Sequence, residues 1–176
     1  MTNKNLLLPV LVFIIGVMAC SKKANACRIV EKAESRILSI YESADMKFSG
    51  FSGDKSVSEK ALEWKAEMES IRRQDDGDVE TISGFVKWLE ANAFMERKKV
   101  DYLRVMINEM RTGNQVPEEG QIVIPLVGLP RDGKTKEERV LIYKLRAERY
   151  EKMVTARAES AAIFQATADQ LKQLVK

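Results

Sequence analysis

Histidine is absent from this 176-residue chain. That removes the commonest general base and the commonest transition-metal ligand together. Cysteine occurs only as Cys20 and Cys27, too few for a disulfide framework or a cysteine zinc site. Charge of one sign is lacking too: 29 Lys and Arg stand against 26 Asp and Glu, a formal balance of +3. A nucleic-acid binder would concentrate a much stronger basic field. No apolar run reaches the ~20 residues that a helix needs to span a bilayer. Gly-x-Ser-x-Gly, phosphate-cradling glycine loops and His-Glu-x-x-His are all missing. The sequence therefore points away from an enzyme, a cofactor, a bound metal and a nucleic-acid partner. At 45% hydrophobic and 31% charged residues, it can bury a core of single-domain size.

The most distinctive segment is the N-terminus. Lys4 precedes the apolar run Leu6–Ala19, fourteen residues long and weakened as a permanent helix by Pro9 and Gly16. Length and flanks fit the apolar region of a signal peptide. The run ends in Val17-Met18-Ala19-Cys20, which resembles the bacterial lipobox: an aliphatic residue, a tolerant position, a small residue and the cysteine. The resemblance implies cleavage between Ala19 and Cys20 and diacylglycerol on Cys20, with residues 1–19 as signal peptide and 20–26 as a lipidated tether. It implies lipoprotein attachment to a membrane of the cell envelope. Ser21, where an aspartate would favour retention at the inner membrane, leans toward the periplasmic face of the outer membrane. Cys27 sits in the polar context Ala24-Asn25-Ala26 behind Lys22-Lys23, so it is the weaker acylation candidate. It is left as a half-buried thiol or as the link of a disulfide dimer.

Residues 27–176 read as one all-α domain, a bundle of about four amphipathic helices. Val30, Ala33, Ile37, Ile40 (or Tyr41) and Ala44 recur on one helical face. Met46–Asp54, with Ser49-Gly50 and Ser52-Gly53, reads as a flexible connection. Ser56 and Glu59 have the spacing of a capping box ahead of Val57, Ala61, Trp64, Met68 and Ile71. The acidic run Asp75, Asp76, Asp78 and Glu80 lacks calcium-loop spacing and reads as a helix start. A third helix continues to Arg111 through Ile82, Val86, Leu89, Ala93, Glu96, Val100, Leu103, Ile107 and Met110. Thr135 and Glu138 repeat the capping-box spacing before a fourth, through Val140, Tyr143, Ala147, Tyr150, Val154, Arg157, Ala161, Phe164, Ala168, Leu171 and Val175.

Each of these last two seams has one charged intruder. If the helices pack antiparallel with Met110 opposite Tyr143, Glu96 falls opposite Arg157, and the two can pair inside the bundle. Two unrelated solvated charges at a seam edge are the alternative. Between the helices, Gln115–Lys134 holds Pro117, Pro125 and Pro130 with Gly120, Gly128 and Gly133. It also holds Ile122, Val123, Ile124, Leu126, Val127 and Leu129. A loop this long is unusual in a compact domain. Its aliphatics either drape over the bundle or dock a partner.

In organisation, though in no quotable motif, the chain is similar to secretion-system pilotins and other envelope-assembly lipoproteins. The expectation is a lipid-anchored helical protein that contacts another envelope protein. A surface-exclusion lipoprotein of a plasmid or phage, a coiled-coil spacer and a homo-oligomer remain open beside it.

Overall fold

The computed structural model describes residues 7–46, 48–50, 53–74, 77–111 and 136–176. Four helices dominate: α1 (Leu7–Ser43), α2 (Val57–Gln74), α3 (Asp78–Arg111) and α4 (Lys136–Leu174). Among the described residues no helix is long and apolar enough to cross a membrane. Two compact units divide the chain: Met1–Phe94 with Ser160–Lys176, and Met95–Glu159.

The larger unit draws on all four helices. Val30, Ala33, Ile37 and Tyr41 of α1 are buried, as are Trp64 and Met68 of α2. From α3 come Ile82, Phe85, Val86, Leu89 and Ala93, and from α4 Ala161, Phe164, Ala168 and Leu171. Trp64, Trp88 and Phe164 meet edge-to-face in a closed triangle, with ring centroids 6.0, 5.6 and 5.9 Å apart. Each such contact adds about 0.5–1.5 kcal/mol beyond area burial, so three helices are locked at one point. Lys60 stands over Trp64 at 5.9 Å from the ring centre.

The helix ends have local causes. Beyond Ser43, the Asp45 amide donates to the Glu42 carbonyl at 3.1 Å and the Met46 amide to the Tyr41 carbonyl at 3.0 Å. That paired closure needs a left-handed residue between. Asp45 supplies it with φ 48°, a conformation aspartate tolerates better than most residues. Met46 and Tyr41, at the two positions where this motif favours apolar side chains, are both buried. At the start of α2 the Ser56 amide donates to Glu59 Oε2 at 2.6 Å and the Glu59 amide to Ser56 Oγ at 3.2 Å. This is the reciprocal box that the spacing predicts, and hydrogen bonds from the Ser56 amide and then the Ser56 hydroxyl, the latter at 2.8 Å, hold the Glu59 carboxyl below its usual range. Asp78 and Glu80 occupy the first turn of α3, where carboxylates oppose the positive helix end.

Two segments differ from the sequence-based expectation. Phe48–Gly50 and Gly53–Lys55 form a short antiparallel ladder, Phe48 opposite Lys55 and Ser49 opposite Asp54, where a loose connection is expected. Two Ser-Gly pairs mark turn chemistry, and strands of three residues are too short to show an alternating pattern. The residues expected to form a tether, 20–26, are helical within α1, and Ala26 is wholly buried. Polar Lys22, Lys23 and Asn25 hide the apolar period there, but none of them breaks a helix.

Among its described residues the smaller unit is an antiparallel pair made from α3 beyond Phe94 and α4 before Ser160. Ile107, Met110, Tyr143 and Ala147 form its apolar cluster, with Met106, Tyr150 and Val154 half-buried against it. Val100 and Leu103 are buried as well. Val140, expected in the seam of α4, is instead 51% exposed.

Candidate partner-contact surface

Inside the smaller unit, Arg157 Nη1 donates to Glu96 Oε2 at 2.8 Å, with side chains 4% and 7% exposed. Lys99 adds a longer contact to Glu96 Oε1 at 3.3 Å. The antiparallel arrangement that brings Met110 and Tyr143 into one cluster thus also brings these two charges together. A carboxylate in a seam of valine, leucine and isoleucine is tolerated only where its oxygens are satisfied, and here both are engaged. Flank residues follow a different offset. Arg111 pairs with Glu151, although a strict continuation of the seam would set it beside Ile142.

The outer faces of this unit are unusually apolar. On α3, Tyr102 and Val105 are 65% and 56% exposed, and on α4 Leu141 and Leu145 are both 56% exposed. Met95 and Val140 add to them. A groove of about 480 Å³ runs between the two helices, lined by Arg104, Ile107, Asn108, Arg111, Glu151, Val154 and Thr155. Exposed aliphatics arranged at helical spacing are a feature of contact surfaces. The sequence shows them only as breadth beyond the narrow seam, and no periodic signal separates a buried flank from an open one.

Elsewhere the candidate residues are dispersed. Ala19 and Cys20 lie on α1, and the description of side chains begins at Lys22. Ile122, Val123, Ile124, Leu126, Val127 and Leu129 lie outside the described residues, as does Thr135. Cys27 is a free, half-buried thiol. Nearby, the Arg72 guanidinium donates to Glu31 Oε1 at 2.8 Å. Burial works against the Arg72 charge, but the Cys27 and Glu31 contacts outweigh it and hold the group more firmly protonated.

Two further carboxyls define the electrostatics of the larger unit. Glu34 on α1 is 5% exposed. Burial raises its pKa, partly opposed by Lys65 and Arg72 and reinforced by Glu31. Glu63 is held low by hydrogen bonds from Lys55 and then Lys60. Among the described residues, no three His, Cys, Asp or Glu side chains converge as a metal site would require. The chain matches no protein-family model, no curated protein and no solved structure.

Proposed function

We propose that this chain is a lipid-anchored protein of the bacterial envelope that works by contacting another protein, as an assembly or secretion accessory does. The observation that carries the anchor is Val17-Met18-Ala19-Cys20 at the end of a fourteen-residue apolar run. Acylation of Cys20 with two or three chains supplies about 0.8 kcal/mol per buried methylene, enough for stable attachment where one chain is marginal. Ser21 beside it favours the outer membrane. The contact role is supported by Tyr102, Val105, Leu141 and Leu145, large apolar side chains left open on two helices.

With α1 helical from the acylated residue onward, the distance from the bilayer is set by helical rise. Residues 20–26 span roughly 9 Å as helix, against about 20 Å if extended. The start of the larger unit is therefore held close to the membrane surface. Metabolic labelling with palmitate tests the anchor. The native chain incorporates label and sediments with membranes, and Cys20→Ala loses the label and accumulates as the uncleaved precursor. Labelling that persists in Cys20→Ala and disappears in Cys27→Ala contradicts the assignment. A chain that never carries label contradicts it as well.

A further inference from the structure

We propose that the seam between α1 and α2 in the larger unit is an acid-closed latch, shut while the Glu34 carboxyl is neutral and opening more readily once it ionises. Glu34 stands in a core-facing stripe of α1, Val30, Glu34, Ile37 and Tyr41, spaced four, three and four residues apart. All four are buried. Among the described residues two glutamates are buried, Glu34 and Glu96, each 5% exposed. Glu96 is met by Arg157 at 2.8 Å and by Lys99 at 3.3 Å. Glu34 has no counterpart to either: among the described residues no hydrogen bond or ion pair reaches its carboxyl. The two are equally buried, so what separates them is pairing and not depth.

The charged groups that act on Glu34 from outside its own helix, Lys65 and Arg72, both belong to α2, which places the carboxyl at the α1–α2 seam. Arg72 is engaged elsewhere, donating to Glu31 at 2.8 Å and to Glu69 at 3.5 Å. Lys65 is exposed and acts through its field alone. On α1 itself Glu31 adds a like charge, and Cys27 lies one turn further back. Burial is the largest influence and raises the Glu34 pKa; Lys65 and Arg72 oppose it without cancelling it. Once ionised, the carboxyl needs water in place of the missing partner, and α1 moves off α2 to admit it. The open seam therefore gains population as pH rises from the ordinary glutamate range through the raised value. Glu59 and Glu63, near the start of α2, are held low by their own hydrogen bonds, so their titration has the opposite sign. Ile82, Phe85 and Leu89 on α3 and Phe164 and Leu171 on α4 form a buried apolar core that does not titrate, so the opening is local and stops short of global unfolding.

Amide hydrogen exchange of the full chain, followed from pH 4 to pH 7 and corrected for the intrinsic pH dependence of exchange, reads the latch directly. In the native chain the seam segments, residues 30–41 of α1 and 64–72 of α2, lose protection as pH rises, while residues 82–93 of α3 keep theirs. Glu34→Gln preserves the shape of the side chain and cannot ionise. It abolishes the loss and holds the seam at its pH 4 protection throughout. Lys65→Gln removes a cation that favours the ionised carboxyl, so the midpoint of the loss moves to higher pH. Helical circular dichroism of each variant confirms folding. A seam whose protection does not fall with pH overturns the proposal, as does a loss that persists in Glu34→Gln. A loss shared equally by residues 82–93 overturns it too, because the response is then global. So does a midpoint that stays or falls in Lys65→Gln, since the titrating group is then another one.

Discussion

The two units solve burial differently. In the larger one, four helices surround Ile37, Tyr41, Ile82, Phe85, Leu89, Phe164 and Leu171, all fully buried, and the aromatic triangle ties α2, α3 and α4 together. Among its described residues the smaller unit has two helices, and two helices cover only one face of each other. Its interior holds an ion pair, Glu96–Arg157, and its outside holds Tyr102, Val105, Leu141 and Leu145. The first arrangement derives stability from area. The second buries an ion pair and, among the described residues, leaves large apolar side chains exposed.

Truncation in the larger core should have the largest effect. Phe164→Ala removes a fully buried ring that touches both tryptophans and should cost about 3–5 kcal/mol. Urea unfolding followed by tryptophan fluorescence measures it, and a loss near 1 kcal/mol would mean that the aromatic triangle is loosely packed. In the smaller unit Arg157→Ala leaves Glu96 buried without its main partner and should cost about 3 kcal/mol or more. Replacing both charges, Glu96→Leu with Arg157→Met, should recover most or all of that loss. Recovery would distinguish an ionic pair that sets register from one that supplies net stability, and its failure would show that the pair itself holds the two helices.

The pattern of these residues also shows how far the sequence could be read. Every position of the α3 seam, from Ile82 to Met110, is buried, because a 34-residue helix repeats its period often enough to average out exceptions. The Glu96–Arg157 contact was legible for the same reason: two intruders in two regular seams share a register only in one direction of packing. The Ser56–Glu59 box was legible because capping is local. Val140 and the ladder at Phe48–Lys55 were not. Near a helix end the period has too few repeats to fix which positions are covered, and three-residue strands carry no period. Nor did the pattern reveal that Tyr102 and Leu145 stay open, since exposure depends on what else packs there.

Smaller effects refine the contrast. Glu34 is buried and its pKa raised, chiefly by desolvation. The folded state therefore holds that proton more tightly than the unfolded state does, and stability falls as pH rises from the ordinary glutamate range through the raised value. Glu34→Gln should raise the Tm at pH 7 and lose that advantage near pH 4; thermal melts at both pH values check it. An advantage of the same size at both would remove the titration argument. Ser56→Ala breaks the capping box and should cost about 1 kcal/mol, read as a lower urea midpoint at unchanged slope. Smallest of all, Lys172→Ala, which removes the partner of Glu90 in a half-exposed pair at 2.6 Å, should leave the Tm within experimental error.

We place the proposed contact surface on the smaller unit and not on the larger. Photo-crosslinking in intact cells tests it most directly. A photoreactive residue is placed in turn at Leu141 and Leu145 of the smaller unit and at Leu62 and Val79 of the larger. All four side chains are more than half exposed, so accessibility does not bias the comparison. The account predicts one discrete, reproducible adduct with another protein from Leu141 and Leu145 and none from Leu62 or Val79. Adducts from Leu62 or Val79 alone, or from none of the four positions, would contradict it.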